Sequence, residues 1–329
     1  MRILVSGGAG FIGSHLVEAL VARGHRVRVL DDFSSGRIEN LRAVQGDVEV
    51  QEGDCADPAA ARRAVEGVEL VCHQAAALSV ARSVEEPTLS QRSGGVATLN
   101  LLDAARAAGV RRFLYAGSSS VYGDSLRLPK RESLEPHPVS PYAVEKLVGE
   151  YYLRMFAGLY GMDTLTLRYF NVFGPRQTLA CPYSGIVHRS IGSLLRGEPP
   201  ALGDASQARD FTYVANVVEA NLLALRARDL AGQAVNVGTG RRTSVATLVA
   251  LLSAALGKSR PAGAARVEPA RATFTDLSLA QRLLGYRPIV DLETGLRRTL
   301  DWYRSLGEPA PVRAGRPLRG VPQPVPAAS

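Results

Sequence analysis

The sequence predicts an α/β fold in which a doubly wound parallel sheet is joined to a second, smaller α/β domain. Three observations support this prediction. Apolar segments that suit strands alternate with amphipathic segments that suit helices, glycines follow the first apolar segment directly, and the alternation stops after about residue 173. Strands that are apolar along almost their whole length lie between two layers of helices. The first half of the chain should therefore form the sheet.

The strands of this sheet are predicted at six apolar segments, which are RILVSG, RVRVLDD, DVEVQEGD, LVCHQAAA, RFLYAGSSSVYG and LTLRYFNVFG. Amphipathic stretches between them, such as 12–23, 95–108 and 142–160, predict the helices. Because crossovers between parallel strands are right-handed, these units should assemble into an open, doubly wound sheet.

The second half does not follow this alternation of strand-like and helix-like segments. A loop rich in Pro and Gly precedes helices predicted near 186–196, 214–227 and 244–256, with the segments ARDFTYV and AVNVG between them. We predict a larger domain formed by 1–172 with 214–240 returning to it, a smaller domain formed by 173–213 and 241–305, and a mobile tail rich in Pro, Gly and Arg at 306–329.

The composition is that of a soluble globular enzyme, with 46% hydrophobic and 21% charged residues among 329. No apolar run reaches the ~18 residues that a membrane helix needs. The chain opens on a short strand, MRILVSGG, which leaves no room for a signal peptide. Three cysteines without C-x-x-C spacing, Cys55, Cys72 and Cys181, suit apolar filling in a reducing compartment. We therefore expect a cytoplasmic protein without membrane contact.

The formal net charge of +8 is compatible with a nucleic-acid binder. The basic residues are scattered, however, and the few aromatic residues do not interleave with them. A basic surface with an anionic small-molecule substrate is the preferred interpretation, and nucleic acid is not expected. The five histidines show no metal-ligand spacing, so no metal site is predicted.

The segment VSGGAGFIGSHLVEAL places Gly7, Gly10 and Gly13 between the first strand and the first helix. This G-x-x-G-x-x-G spacing allows a tight turn and lets a pyrophosphate approach the helix N-terminus, where free N–H groups point at it. Asp31 ends the second strand, 18 residues after Gly13. Its carboxylate would accept hydrogen bonds from the adenosine ribose and repel a 2′-phosphate, which favours NAD over NADP.

Two further strand ends suit the same dinucleotide. Asp54 ends the third strand, where the adenine ring would lie. The residues HQAA at 73–76 end the fourth strand with small side chains that would let the cofactor pass close to the backbone.

Tyr142 and Lys146 lie four residues apart in the segment SPYAVEK and so share one face of a helix. Ser140 as N-cap and Pro141 at the first helical position predict that this helix begins here. A phenol of pKa ~10 is a poor base at neutral pH, but a nearby ammonium and the positive nicotinamide ring lower that pKa. A compact ammonium can also reach the ribose hydroxyls, which accounts for a lysine in a chain with 36 arginines and three lysines.

Ser118, Ser119 and Ser120 end the fifth strand in AGSSSVYGD, at the carboxyl edge of the sheet, where ligands of such folds bind. A hydroxyl there can pass a proton between a substrate and Tyr142. Capping of a turn is the alternative role for any one of them.

With the glycine loop, the serines and Y-x-x-x-K in this order, the chain resembles the extended short-chain dehydrogenase/reductase family, and within it the NAD-dependent nucleotide-sugar 4-epimerases. The resemblance extends over about 300 residues and rests on the segments GGAGFIGSHL, DDFSSGRIENL, SVARSVEEP, SSSVYGD, SPYAVEK, LRYFNVFGPRQ, ARDFTYV, NVGTG and LLGYRP. It implies a Rossmann domain that binds NAD, a smaller domain that binds a UDP-sugar, and a homodimer formed through the helices near 95–108 and 142–160.

In such enzymes a tyrosine takes the proton of the sugar 4-hydroxyl while a hydride moves from carbon 4 to NAD and then returns to the other face of a transient 4-keto sugar. The resemblance therefore makes Tyr142 the base, Lys146 the residue that tunes it and holds the ribose, and Ser118 the proton relay. It implies NAD contacts from a larger set, which is Gly7, Gly10, Phe11, Ile12, Gly13, Asp31, Asp32, Ser35, Gly36, Asp54, Cys55, Ala75, Ala76, Tyr142, Lys146 and Tyr169. It implies substrate contacts from Ser119, Ser120, Arg82, Asn171, Arg209, Arg266 and Thr273.

Three alternatives to a plain UDP-hexose 4-epimerase follow from the same resemblance. Related dehydratases and decarboxylases carry an acid where this chain has Ser119 and Ser120, so epimerisation is favoured over elimination. A UDP-glucuronate 4-epimerase, or another epimerase or dehydratase of the family, stays open, with Arg82 as a residue that would line the pocket. A catalytically idle NAD-binding protein is disfavoured by the intact Ser118, Tyr142 and Lys146.

Three positions of the substrate and cofactor motifs are unusual or informative. Gly94 stands where the family commonly has an asparagine that contacts the cofactor, and the segment Arg266-Val267-Glu268-Pro269 lacks an aspartate that often contacts the nucleotide ribose. Thr273 falls where relatives have either a bulky tyrosine or a small residue. A small residue there leaves room for a 2-acetamido group, so we hypothesise that N-acetylhexosamines are accepted.

Overall fold

The structure, a computed structural model, describes residues 1–76, 80–177, 185–200, 207–258 and 272–306. The predicted roles of Cys181, of Arg266 and of the tail from residue 307 onwards lie outside the described residues. Within the described ranges, no helix has the combination of length and apolar character needed to cross a membrane.

The strands in chain order are β1 (Arg2–Ser6), β2 (Arg26–Asp31), β3 (Val48–Glu52), β4 (Leu70–His73), β5 (Arg112–Ser118), β6 (Asp163–Tyr169), β7 (Val172–Phe173), β8 (Ala208–Arg209), β9 (Thr212–Tyr213), β10 (Gln233–Val237), β11 (Thr243–Ser244) and β12 (Ala272–Thr273). Seven of them form the main sheet in the order β10–β6–β5–β4–β1–β2–β3, and all of its pairings are parallel. The direction of the strand order changes at β1. In sheets of this kind, ligands bind at the carboxyl edge at that point.

The α-helices in chain order are α1 (Phe11–Val21), α2 (Pro58–Val65), α3 (Val80–Glu85), α4 (Pro87–Gln91), α5 (Ala97–Ala107), α6 (Pro141–Tyr160), α7 (Ile186–Leu195), α8 (Val214–Ala224), α9 (Val245–Ala255), α10 (Ser278–Leu284) and α11 (Leu292–Ser305). A π-helical turn at Arg92–Val96 joins α4 to α5, and 3-10 turns occur at Ile38–Val44 and Ser119–Tyr122. The start of α6 agrees with the prediction, because the Ser140 hydroxyl accepts a hydrogen bond from Ala143 N and Pro141 is the first helical residue.

Two apolar cores cover the two faces of the main sheet, as the alternation of side chains along a strand requires. In β1, Ile3 and Val5 face the core formed with α1, α8 and α10, while Leu4 faces the core formed with α2, α5 and α6. Cys72 is buried in the first of these cores. The sequence pattern therefore identified the layers correctly.

The second half differs from the predicted pattern in three places. The segment LTLRYFNVFG is divided into β6 and β7, because Asn171 between them has a φ of 33° and turns the chain away from the main sheet. ARDFTYV is divided in the same way, with β8 in a three-stranded sheet with β11 and β12 and with β9 paired to β7. α10 packs with the main sheet through Ala280 and Leu284, although it lies in the part of the chain predicted to belong to the smaller domain.

Around the two small sheets, α7, α9 and α11 form a third core with residues such as Ile191, Leu248 and Leu300. β10 at the edge of the main sheet belongs to the segment 214–240 that was predicted to return there. The site described next lies where the loops of both regions follow the carboxyl ends of β1, β2, β4, β5 and β6.

Candidate active site

The turn after β1 forms a cradle that requires glycine. Gly7 has a φ of 69°, and a Cβ there would lie 2.7 Å from the backbone of Ala75. A Cβ at Gly13 would overlap the carbonyl oxygen of Gly7. α1 begins after Gly10, which has no side chain to cap it. The N–H groups of the first turn therefore point at a shallow space suited to a phosphate.

Asp31 stands at the end of β2 beside this turn, and backbone amides hold its carboxylate. Oδ2 accepts a hydrogen bond from Ala9 N at 2.9 Å, and Oδ1 accepts one from Phe33 N at 3.0 Å. Burial raises the pKa of Asp31, and these two hydrogen bonds counteract the effect. A Cβ at Gly36 would lie 2.6 Å from Oδ1, so glycine is needed to leave space beside that oxygen. The glycine cradle and this carboxylate together fit the pyrophosphate and the adenosine ribose of NAD.

The predicted adenine end has a partner that the sequence did not reveal. Asp54 Oδ2 accepts a hydrogen bond from Arg92 Nη2 at 2.8 Å, and Oδ1 accepts one from Ala56 N at 2.7 Å. Arg92 was missed because it lies 38 residues away in a π-helical turn that no sequence pattern indicated. Cys55 is buried, and burial raises the pKa of its thiol to about 12. This side chain therefore packs against the site and is not a nucleophile.

Three other residues predicted to contact NAD lie near this cradle. Asp32 Oδ1 accepts hydrogen bonds from both the N and the Oγ of Ser34, and Ser35 is exposed. Ala76 follows Ala75 at the last described position before residue 80. Their contacts with the cofactor remain predictions.

The structure brings the predicted catalytic residues together. Ser118, at the end of β5, lies beside the Tyr142 side chain near the start of α6, where its hydroxyl acts to lower the pKa of the phenol. Its Oγ accepts hydrogen bonds from Ser120 N at 3.1 Å and Ser120 Oγ at 2.9 Å, so it also caps the 3-10 turn. Lys146 Nζ is buried, donates to Ala116 O at 3.0 Å, and lies 5.8 Å from the centroid of the Tyr142 ring. The three predicted catalytic residues therefore form one cluster.

Burial acts on the ionisation of both catalytic residues of α6. Burial raises the pKa of Tyr142 to about 12, and the Ser118 hydroxyl beside it opposes that rise. Burial also lowers the pKa of Lys146, although the charges of Glu145 and Glu150 counteract this. Desolvation is a contribution that the sequence-based argument left out, and it works against the phenolate. The predicted lowering of the phenol pKa by the ammonium and the positive nicotinamide ring together stays a prediction.

Tyr169, at the end of β6, belongs to a closed ring of three hydrogen-bonded side chains. Its hydroxyl donates to Gln74 Oε1 at 3.1 Å, Gln74 Nε2 donates to Asn221 Oδ1 at 3.1 Å, and Asn221 Nδ2 donates back to the Tyr169 hydroxyl at 2.8 Å. Gln74 immediately precedes Ala75, so the ring connects β6 and α8 to the wall of the glycine cradle. The long polar side chain of Gln74 stands directly before the two alanines of HQAA. This contrast was the signal that could have revealed Gln74.

The predicted substrate residues Asn171, Arg209 and Thr273 meet where the two small sheets approach the main sheet. Thr273 is the register partner of Arg209, so their side chains emerge on the same face. Asn171 Nδ2 donates to Asp210 O at 3.1 Å, and its positive φ is the kind of backbone strain that functional sites often hold. These positions are consistent with one shared pocket.

Arg209 has a neighbour of like charge. Burial and the charge of Arg189, at the exposed side of α7, both lower the pKa of Arg209. Two guanidinium groups that repel each other form a suitable site for a diphosphate, because its charge would relieve the repulsion. Arg189 was missed from the sequence because one arginine among many scattered ones carries no signal of its own.

The remaining predicted substrate residues lie less clearly in the pocket. Ser119 and Ser120 are half-buried in the 3-10 turn after β5. Arg82 in α3 forms a hydrogen-bonded ion pair with Glu86, with Nε 2.9 Å from Oε1, on an exposed face. The structure thus gives Arg82 a role within α3, and its contact with a sugar remains a prediction.

The chain matches the model of the NAD dependent epimerase/dehydratase family over residues 3–238. A curated relative, the UDP-glucose 4-epimerase of Mycolicibacterium smegmatis, is 38% identical over 319 residues, which cover 93% of this chain and 99% of that protein.

Two solved structures extend the similarity to three dimensions. The UDP-glucose 4-epimerase of Thermotoga maritima with UDP-glucose has a TM-score of 0.84 and 38% identity, covering 94% of this chain and 100% of its own. The UDP-N-acetylglucosamine 4-epimerase of Methanobrevibacter ruminantium in complex with UDP-N-acetylmuramic acid has a TM-score of 0.86 and 34% identity, covering 93% and 98%.

Proposed function

The chain belongs to the NAD-dependent epimerase/dehydratase family and is an NAD-dependent enzyme, and we propose that it is an isomerase that inverts carbon 4 of a UDP-sugar. The substrates proposed are UDP-glucose and UDP-galactose, their 2-acetamido counterparts, or both. The observation that carries the proposal is the Ser118–Tyr142–Lys146 cluster at the carboxyl edge of β5. It lies on the same edge of the sheet as the glycine cradle and Asp31.

The residues of this chain supply the proton chemistry and the positioning. NAD held by the glycine cradle and Asp31 would supply the acceptor and donor of the carbon 4 hydride. Tyr142 acts as the base for the 4-hydroxyl proton, and Ser118, which lies beside the phenol, offers that proton a path between the sugar and Tyr142. Lys146 places its charge near the phenol and favours the phenolate. Tyr142 would give the proton back to the 4-oxygen, and inversion requires that the hydride be added to the opposite face of carbon 4 of the 4-keto sugar.

The diphosphate of the substrate is assigned to the arginines of the smaller sheets. Arg209 is held at the edge of β8, and Nη2 donates to Gln207 Oε1 at 3.2 Å, which orients the guanidinium. Arg189 adds a second charge from α7. Asn171 lies close by through its hydrogen bond with Asp210 O and offers a polar side chain at the mouth of the pocket. A fork-shaped cation is the side chain best suited to phosphate oxygens.

Epimerisation is favoured over elimination by the residues next to Ser118. Elimination of water from a keto sugar needs an acid and a base close to carbons 5 and 6, and the two positions that follow Ser118 are Ser119 and Ser120. The nearest acid along that turn, Asp124, forms a hydrogen bond of 3.0 Å with His137 at an exposed position. These side chains support a reaction that leaves the carbon skeleton and its oxygens unchanged.

We also propose that 2-acetamido sugars are accepted, because Thr273 is small and emerges on the Arg209 face. Replacing Thr273 by Tyr would fill this space. Turnover of UDP-N-acetylglucosamine should then fall by at least tenfold while turnover of UDP-glucose is retained. Thr273→Ser is the matched control and should change neither substrate. Equal loss of both substrates in the Tyr variant would contradict this assignment.

A homodimer is proposed from the exposed apolar side chains of α6. Tyr151, Met155 and Leu159 are spaced by four residues and are 53%, 41% and 67% exposed, so they form one apolar stripe along the helix. Replacing both Met155 and Leu159 by Glu should convert a dimer into a monomer in light scattering coupled to gel filtration. A wild-type protein that is already monomeric would contradict the proposal.

The same proposal includes the division into a NAD-binding domain and a nucleotide-sugar domain, and a location in the cytoplasm. The free, buried thiols of Cys55 and Cys72 support a reducing compartment. If the division is correct, the two predicted domains should move relative to each other about a hinge. Limited proteolysis with and without UDP can test this motion.

The proposed reaction is tested by incubating the purified protein, without added cofactor, with UDP-glucose, UDP-N-acetylglucosamine and UDP-glucuronate separately. Proton NMR of the anomeric region would show a galacto-configured product if resident NAD supports 4-epimerisation. UDP-glucuronate is included to test the alternative that the substrate is a carboxylated UDP-sugar. Tyr142→Phe is the control and should convert each substrate at least about a hundredfold more slowly. Absence of conversion in all three mixtures, with NAD confirmed in the protein, would contradict the proposal.

A further inference from the structure

Glu145 is a buried carboxylate in α6 that the proposed reaction does not use. It immediately precedes Lys146, and its side chain is fully buried. Oε2 accepts a hydrogen bond of 2.5 Å from Ser90 Oγ in α4. Oε1 has no hydrogen-bond partner among the described residues. A buried carboxylate with an unpaired oxygen is costly, so its presence next to the catalytic lysine calls for an explanation.

Gly94 provides the space that this carboxylate occupies. A Cβ at Gly94 would lie 2.7 Å from each carboxylate oxygen of Glu145 and closer still to Cδ. Gly94 belongs to the π-helical turn at Arg92–Val96, which packs against α6. A π-helical turn inside a helix is itself a feature common at functional sites. Gly94 and Glu145 therefore form a matched pair, because this position of the Glu145 carboxylate leaves no room for a Cβ at residue 94.

The charge of Glu145 acts on both catalytic residues of α6. It adds to burial in raising the pKa of Tyr142, against the hydrogen bond from Ser118. It also supports the protonated form of Lys146 against the effect of burial. Other titratable groups that interact with this region are Glu150 in α6, Tyr115 in β5 and His73 in β4. Lys146 Nζ lies 5.0 Å from the centroid of the Tyr115 ring, so this lysine packs against Tyr115 in the buried region beside α6.

We propose that Glu145 is a positioning residue for the catalytic pair. Its carboxylate, seated in the space left by Gly94, keeps the Lys146 ammonium charged and sets the pH range in which Tyr142 acts as a base. The proposal rests on the 4-epimerase function proposed above. It assigns a role to a residue inside the Y-x-x-x-K motif that is neither the tyrosine nor the lysine.

The first test is the pH profile of kcat for the NAD-loaded Glu145→Gln variant. Removing a negative charge lowers the pKa of Tyr142, so the acidic limb should move to lower pH. It also lowers the pKa of Lys146, so the alkaline limb should move in the same direction. A single buried charge at short range shifts a pKa by about one unit. A profile that keeps its position and loses only height would mean a structural role and would overturn the proposal.

The second test does not depend on activity. Gly94→Ala should lower the thermal unfolding temperature and the NAD content, because the added Cβ overlaps the carboxylate. Adding Glu145→Ala should restore much of both losses. Gly95→Ala is the matched control in the same turn, since its Cβ would meet only the Gln91 Oε1 atom at 3.0 Å and Val148 Cγ1 at 3.7 Å. Effects of Gly94→Ala and Glu145→Ala that simply add would overturn the matched pair.

The two tests distinguish failure of this inference from failure of the proposed function. If the wild-type protein epimerises a UDP-sugar and Glu145→Gln has an unshifted profile, the role of Glu145 is wrong and the function stands. If no UDP-sugar is converted, the function is wrong, while the stability measurements still report on Gly94 and Glu145. If Glu145→Gln does not fold, Ser90→Ala replaces it. Loss of that hydrogen bond raises the pKa of Glu145, so both limbs should move to lower pH by a smaller amount.

Discussion

Replacing Arg168 by Met should destabilise the protein strongly, because it leaves a buried carboxylate without its partner. Arg168 in β6 and Glu150 in α6 form a two-pronged ion pair, with Nη2–Oε2 at 2.6 Å and Nε–Oε1 at 2.9 Å. Their side chains are only 5% and 7% exposed. Arg168 Nη1 also donates to the Tyr122 hydroxyl at 2.8 Å, in the turn that follows Ser118. The pair thus joins β6 to α6, which carries Tyr142 and Lys146, and to the turn that follows Ser118.

The magnitude follows from the burial of the pair. Removing one partner of a buried ion pair costs about 3–5 kcal/mol, which corresponds to a fall in unfolding temperature of about 4–7 °C for a chain of this length. Exposed ion pairs contribute about 0–1 kcal/mol. The pair formed by Arg106 and Asp103 is 41% and 61% exposed, so Asp103→Ala is the matched control and should change the unfolding temperature by less than about 2 °C.

The assay is thermal unfolding of the NAD-loaded protein followed by circular dichroism. A double variant, Glu150→Leu with Arg168→Met, should recover most of the lost stability, because apolar side chains of similar volume can replace a buried ion pair. The reasoning would be refuted if Arg168→Met unfolded within about 2 °C of the wild type. It would also be refuted if the double variant were as unstable as the single one.

Tyr142→Phe should keep its NAD and its fold, and its kcat should fall by about 10²–10⁴-fold. The kcat of Ser118→Ala should fall by less, because a water molecule can replace the proton relay. Equal effects of the two variants on steady-state rates would contradict the separate roles. Asp31→Ala should lose bound NAD during dialysis and discriminate less against NADP, which ion-exchange chromatography of the extracted cofactor would show. Undiminished NAD content would argue against the ribose contact. Burial lowers the pKa of His73 and of His188 to about 3, so their unfolded forms bind protons that the folded forms exclude. The contribution of the two histidines to the free energy of unfolding should therefore be fully present above about pH 6.5 and should fall as the pH decreases towards 3. The loss should be about 2 kcal/mol per histidine at pH 5, which urea unfolding can measure. A smaller fall in His188→Phe would support the assignment, and equal stability at pH 7 and 5 would contradict it.

The fold of the larger part could be predicted because local signals and tertiary structure agree there. Ser140, Pro141 and the apolar spacing all predict a helix that begins at 141, and the structure has α6 at Pro141–Tyr160. β1 runs directly into the glycines of the turn in the same way. Such agreement fails after residue 170, where the strained Asn171 divides one apolar run into strands of two different sheets. Sequence periodicity does not report where a chain leaves one sheet for another.

The candidate site could be predicted where a residue type is chemically distinctive at a fixed spacing. Tyr142, Lys146 and Asp31 are of this kind, and the structure places them on one edge of the sheet. Arg92 and Arg189 were missed because their importance depends on contacts between elements far apart in the chain. The effect of burial on the pKa of Tyr142 was missed for a related reason, since desolvation depends on the packing around a group rather than on its sequence neighbours.

The most direct test of the central claim follows the hydrogen on carbon 4 during turnover. UDP-glucose that carries deuterium at carbon 4 would be incubated with the protein in ordinary water, and the product would be examined by NMR. If hydride leaves and returns within one closed site, UDP-galactose should keep its deuterium at carbon 4, and unlabelled substrate in deuterated water should gain none there. Loss of the label from carbon 4, or its replacement by solvent hydrogen, would contradict the account.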